Sequence, residues 1–137
     1  MAALTSDRNT PERLGLDFVD PVAAGAKIFA GALVVLDAAG NAAPAATATG
    51  LTARGVAQEQ VDNSGGGAGD LSVRTRAGIF PFANDGSVSR ADIGGTAWIV
   101  DDQTVANNDG DTGAGPTRSV AGTIVDVNAD GVWVRIG

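Results

Sequence analysis

Two stretches of the sequence have the pattern of β-hairpins, and they restrict the possible folds more than any other feature. In residues 91–106 the acidic pair Asp101-Asp102 separates two short apolar runs. In residues 120–136 the run 128–131 (Asn-Ala-Asp-Gly) separates two runs rich in β-branched side chains. Asn, Asp and Gly tolerate the positive φ that tight hairpin turns require. The sequence therefore predicts a compact β-sheet module in its C-terminal half.

The rest of the chain continues this pattern and shows no sustained helical period. Residues 71–79 alternate between apolar and polar side chains, and Gly78 marks a bend after which Phe80 and Phe82 change sides. The 20 glycines supply the turns that many short strands need. The predicted fold is all-β, a small barrel or sandwich of short antiparallel strands with an extended N-terminal arm.

The chain divides into an arm at residues 1–21 and a β domain at residues 22–137. The arm is polar and charged, with apolar side chains at Leu14, Leu16 and Phe18. Their alternation is typical of a segment that adds a strand to a partner. A frayed terminus has the same composition, so both interpretations stay open. The length of 137 residues suits one folded domain.

The charge of the chain excludes some classes of partner. The formal net charge is −7, and an acidic chain is repelled by phosphate backbones, so we expect no nucleic-acid partner. Arg74 and Arg76 share one face and are the nearest approach to a basic site, but solvated or subunit-facing arginines are the favoured interpretation. The longest apolar run, residues 28–36, is too short to span a bilayer, so we expect no membrane partner.

The residues that catalysis usually needs are scarce. The sequence contains no His, no Cys and no Tyr, and its single lysine is Lys27. Carboxylate pairs such as Asp126/Asp130 are formally possible catalysts, but each pair falls in a predicted turn, where Asp is favoured for backbone reasons. We therefore expect no enzyme and no cofactor. The first residues lack the apolar run of a signal peptide, and we expect synthesis in a cytoplasm.

The loop at residues 107–117 and the large aromatic side chains are the remaining candidates for binding. The loop carries closely spaced oxygen ligands, but it lacks the downstream acidic ligand of an EF-hand, so a solvated turn is favoured over a metal site. Trp98 and Trp133 are predicted core or interface anchors, together with Phe80 and Phe82. A ligand-stacking role for either tryptophan is the alternative.

The order of segments resembles the capsid cement, or head decoration, proteins of tailed bacteriophages. The resemblance rests on AAGAKIFAGALVVLDAAGNAAPA, GVAQEQVDNSGG, VRTRAGIFPF, IGGTAWIVDDQTV and VAGTIVDVNADGVWVRI, and it covers residues 22–136. The sequence departs from the family pattern at Thr96-Ala97-Trp98, where a β-branched residue and Tyr are common. The arm has no counterpart in the pattern.

The resemblance implies a virion protein on the outer capsid surface that assembles as a homotrimer and bridges subunits of the major capsid protein. Its function would be mechanical, because it would stabilise a head filled with DNA. Deletion of the residues before Val19 is then expected to leave a folded protein that binds heads poorly. The alternatives are a tail or baseplate structural protein and a carbohydrate-binding β module, which would expose Trp98 or Trp133 in a groove.

Overall fold

The computed structural model describes residues 2–11, 13 and 15–137, and it is all-β, with 43% strand and 2% helix. The predicted fold class is thus confirmed. The strands are β1 (Asp17–Pro21), β2 (Lys27–Ile28), β3 (Leu33–Leu36), β4 (Ala42–Pro44), β5 (Thr52–Ala57), β6 (Val61–Asp62), β7 (Ser72–Arg76), β8 (Gly78–Asn84), β9 (Thr96–Ile99), β10 (Thr104–Ala106), β11 (Val120–Asn128) and β12 (Gly131–Ile136). A single 3₁₀ turn (Arg90–Asp92) precedes β9.

Five strands form one antiparallel sheet in the order β1-β7-β5-β3-β4. The sheet curls, because Val22, directly after β1, bridges in parallel to Ala42 in the strand at the far edge. We call this unit the curled sheet. The sequence analysis assigned residues 1–21 to the arm, but residues 17–21 form β1 and belong to this sheet.

The other large unit is a closed barrel in the order β10-β8-β12-β11-β9. Both predicted hairpins are present in it, since β9 pairs with β10 and β11 pairs with β12, each antiparallel. Asn128 pairs with Gly131 across the second turn. Gly131 has φ of +124°, and a Cβ there would collide with the carbonyl of Phe82, so only glycine fits. The barrel is closed by a parallel pairing of β8 with β10.

The apolar side chains form two cores, one on each face of the curled sheet. Strand β3 explains this arrangement, because successive side chains of a strand point to opposite faces. Leu33 and Val35 pack with the interior of the barrel, including Ile124 and Val134. Val34 packs on the other face, in the second core, which the two-stranded β2–β6 ribbon supplements with Ile28. This double burial is why β3 is a continuous apolar run.

The bend predicted at Gly78 separates β7 from β8, and the burial pattern changes sides there. Val73 and Thr75 are fully buried in β7, whereas Phe82 is buried and Phe80 partly buried in β8. Ile79 is 45% exposed, because the alternation that precedes Gly78 does not continue beyond it. In the part of the chain that the structure describes, no helix has the length and apolar character needed to cross a membrane.

Candidate interaction surface

The described arm residues that precede β1 form neither strand nor helix, and their side chains are exposed. Leu4 is 72% exposed and Leu16 is 60% exposed. Leu14, one of the three predicted apolar contact residues, lies outside the described residues. The first backbone hydrogen bond from the described arm to the sheet is made by Leu16, whose carbonyl accepts from the Ala77 N–H at 2.7 Å. The arm therefore joins the fold at the start of β1.

Every second residue of β1 forms backbone hydrogen bonds with β7. At one end of the strand the Leu16 carbonyl bonds to Ala77, and at the other the Val22 N–H donates to the Leu71 carbonyl at 2.9 Å. The register between these two bonds is continuous. Because hydrogen-bonded and non-bonded pairs alternate along an antiparallel ladder, the even-numbered residues of β1 bond to β7.

The odd-numbered residues of β1 leave an open sheet edge. The N–H and C=O groups of Asp17 and Val19 point away from β7, and among the described residues they have no backbone partner. The Val19 side chain is 67% exposed beside them. Pro21 ends the edge, since it carries no N–H. Unpaired edge groups of this kind are a template for another strand.

The opposite edge of the curled sheet is covered. The Ala23 N–H donates to the Ala42 carbonyl at 2.8 Å, beside the bridge from Val22 to the same residue. Pro44 lies at the end of β4 and has no N–H to offer. Within the described residues, the edge of the curled sheet that is available for pairing is therefore at β1.

An apolar groove lies where the arm enters the fold. Its volume is about 330 Å³, and it is lined by Leu16, Phe18, Ile79 and Ile136, with Arg135 at its side. Leu16 and Phe18 are two residues apart in extended chain, so they share a face, as the alternation of the arm predicts. The groove is thus continuous with the first residues of β1.

Phe18 is part of a set of contacts that holds β1 to the sheet, which we call the β1 clamp. The Arg54 guanidinium carbon lies 3.7 Å from the centroid of the Phe18 ring. Arg54 also donates two hydrogen bonds to the Asp20 carboxylate, at 2.8 and 3.1 Å. The side chains of Arg54 and Asp20 keep only 29% and 12% of their exposure, so solvent screens this pair less than a surface pair.

The clamp was not predicted from the sequence. Arg54 lies in β5, one strand beyond β7, and the register of β5 against β3 shifts between Val34 and Val35. This irregularity lies beside Arg54, and in the folded sheet its side chain reaches Asp20, 34 residues away in sequence. No local pattern signals such a pair.

The predicted aromatic anchors differ in burial. Phe82 is 5% exposed within the larger core, and Phe80 packs against the same core from its edge. Trp98 and Trp133 are both half-buried. The Trp133 indole N–H donates to the side-chain oxygen of Asn128 at 3.1 Å. Neither tryptophan lines the groove at the arm.

Charged side chains lie at both ends of the barrel. The end at which β8 finishes and the β11–β12 turn lies carries Asp85, Asp92, Asp126 and Asp130. Arg90 pairs with Asp126 at 3.0 Å, and both side chains are largely exposed. Beside the groove, Arg135 has no carboxylate partner among the described residues. Asp101 and Asp102 lie in the β9–β10 turn, on the side of the barrel where β8 and β10 begin, so acidic side chains occur at both ends.

The acidic turns use their carboxylates to stabilise backbone. Asp101 accepts from the Gln103 N–H at 2.9 Å, and Asp109 accepts from the Asp111 N–H at 3.0 Å. In the loop at residues 107–117, Asp111 also accepts from the Gly113 N–H at 2.7 Å. The described residues include no group of three or more His, Cys, Asp or Glu placed to hold a metal ion. The hydrogen bonds from backbone N–H groups to these carboxylates are those of Asx turns.

Comparisons with protein-family models, with curated protein sequences and with solved structures found no match for this chain.

Proposed function

We propose that this protein decorates the outer surface of a tailed-bacteriophage capsid, where it bridges major capsid subunits and stabilises the DNA-filled head. The observation that carries the proposal is the open edge of β1, which is continuous with an exposed arm. An extended segment of the major capsid protein would pair with the edge, the arm or both. Addition of a strand to a free edge is a recurrent mode of protein recognition.

The position of the apolar groove beside the arm favours one orientation on the head. The groove lined by Leu16, Ile79 and Ile136 would face the capsid together with the arm. The opposite end of the barrel, with Asp85 and Asp130, would face solvent. Burial of apolar surface at the groove would add to the backbone hydrogen bonds at the β1 edge. This proposal assigns Leu16 to the contact and Phe18 mainly to the β1 clamp.

A homotrimer would multiply these contacts. Three linked copies bind a lattice more tightly than one, because the second and third contacts form at a high effective concentration. Sedimentation equilibrium of the purified protein tests this part of the proposal independently. A single species of three chains is expected, and a monomer at all concentrations would contradict the homotrimer while leaving the attachment surface untested by that measurement.

The decisive experiment for the function is co-sedimentation of the purified protein with phage heads. Heads stripped of decoration, intact heads and isolated tails are compared at increasing protein concentration. We expect saturable binding to stripped heads and none to intact heads or tails. Saturable binding to tails would favour a tail or baseplate protein, and binding to glycans without binding to heads would favour a carbohydrate-binding module. Either result would overturn the proposal.

The arm is tested with a truncation whose boundary follows from the position of β1. Deletion of residues 1–15 keeps β1 and its clamp, whereas deletion of everything before Val19 also removes Phe18 from beneath Arg54. We expect the shorter deletion to leave the circular dichroism unchanged and to weaken head binding. Unchanged affinity would restrict the contact to the β1 edge and the groove.

A further inference from the structure

We infer that β1 and its clamp form a mechanical lock, which holds the fold together when the arm is pulled along the strand axis. This inference rests on the proposed attachment through the arm, because attachment there directs force into β1. The lock itself is a property of the isolated protein. It is therefore tested without a capsid.

The first element of the lock is the geometry of the β1–β7 ladder. The two strands are antiparallel, and Asp17 lies opposite Arg76 while Pro21 lies opposite Ser72. Force on the arm pulls β1 toward its own N-terminal end, while the body resists through β7. All the hydrogen bonds between Leu16 and Val22 are then loaded together in shear. Peeling, by contrast, would break them one after another.

The second element is the anchorage at the far end of β1. Val22 is fully buried in the second core. Its N–H and carbonyl bond to Leu71 and Gly69, at 2.9 and 3.0 Å. The next residue, Ala23, accepts a hydrogen bond at 3.0 Å from the side chain of Asn63, which is 3% exposed. Sliding of β1 would have to extract these groups from the interior.

The third element is the β1 clamp, whose contacts resist movement along the strand. Arg54 holds Asp20 through two hydrogen bonds and covers the Phe18 ring. A shift of β1 by one residue would break both contacts at once. It would also leave the Asp20 side chain, which is 12% exposed, without its cation. The Asp17–Arg76 pair at 3.0 Å is exposed and adds less.

Single-molecule pulling tests the lock, and the chain suits it because it contains no cysteine. Handles at Ala3→Cys and Ala68→Cys pull β1 and β7 from opposite ends, since Gly69 lies beside Val22. Handles at Ala3→Cys and Arg76→Cys pull from the same end and peel the strands apart. The shear pair carries Arg76→Ala as well, so that both proteins lack the Asp17–Arg76 contact.

We expect a higher rupture force in shear than in peeling. Arg54→Ala should raise the rupture rate at constant shear force by on the order of tenfold, because it removes two charged hydrogen bonds. Arg54→Lys, which keeps the charge but not the paired geometry, should give a smaller increase. Arg90→Ala removes the exposed Arg90–Asp126 pair, which has a similar length, and should change the rupture rate in neither pulling direction.

Equal rupture forces in the two pulling directions would contradict the lock. So would an Arg54→Ala protein that folds and ruptures in shear at the normal rate. A normal shear resistance together with failure to bind heads would overturn the proposed attachment and leave the lock standing. The two claims are therefore separated by one pair of measurements.

Discussion

The closed barrel and the β1 side of the curled sheet are stabilised by different means. Each barrel strand pairs with two neighbours, and the interior contains fully buried apolar side chains such as Ile99, Ile124 and Val134. Strand β1 pairs with one neighbour, and its side-chain contacts with the sheet are two ion pairs and the half-buried Phe18. The barrel leaves no edge for a partner, whereas β1 offers one. The difference separates a part that supports the fold from a part that is free to bind.

The largest expected effect on stability comes from the barrel core, compared with a more exposed apolar residue. Ile124→Ala removes a side chain that is 1% exposed, and we expect the free energy of unfolding to fall by about 2–5 kcal/mol. Ile93→Ala, at a residue that is 38% exposed, serves as the matched control and should cost less than about 1 kcal/mol. Guanidinium unfolding measures both. Similar losses would mean that the barrel interior does not dominate stability.

The next effect compares two arginine–aspartate pairs in the two regions. Arg54→Ala leaves the Asp20 carboxylate largely buried without its cation, and we expect a loss of about 2–3 kcal/mol. Arg90→Ala breaks the exposed pair with Asp126 and should cost about 0–1 kcal/mol. Equal losses in guanidinium unfolding would contradict the importance that we assign to burial of the clamp.

Removal of the residues that precede β1 should have almost no effect on stability. Arg8 and Arg13 are exposed and precede β1, so trypsin should cleave there before it cleaves at Arg54 or Arg74. The trimmed protein should unfold within about 0.5 kcal/mol of the intact chain. Mass spectrometry identifies the cleavage sites. Initial cleavage within the curled sheet would contradict an exposed arm.

The smallest effect concerns the β2–β6 ribbon that covers the curled sheet. Hydrogen bonds from the Ser64 hydroxyl and N–H lower the pKa of Asp62 below its ordinary value of 3.8, and nearby Lys27 adds to this. A lowered pKa stabilises the fold above the unfolded-state value, and this contribution is lost as the pH falls through the folded-state value. Ser64→Ala should return the pKa toward 3.8 and reduce the stability loss in acid. A carboxyl NMR titration that finds no change would exclude Ser64 as the cause.

The sequence was most informative where structure depends on neighbouring residues. The two barrel hairpins were predicted from turn chemistry alone, with the Asn-Ala-Asp-Gly run at its observed turn. The change of sides after Gly78 was also predicted, because it follows from the period of the strand.

The parts that were missed depend on residues far apart in the chain. The parallel pairing of β8 with β10 joins segments about 20 residues apart and has no local signature. The contact of Arg54 with Asp20 depends on the order β1-β7-β5 and on a shifted register in β5. The inclusion of residues 17–21 in the sheet was missed for the same reason, because their partner strand, β7, is distant in the sequence.

The most direct test of the attachment surface is head binding by Val19→Pro beside Val19→Thr. Proline removes the outward N–H of β1 without removing a bond to β7, and threonine keeps that N–H in a side chain of similar shape. If a capsid strand pairs with this edge, Val19→Pro should lose affinity for stripped heads while Val19→Thr retains most of it. Equal affinity of both variants and the unaltered protein would contradict the claim that the β1 edge binds the capsid.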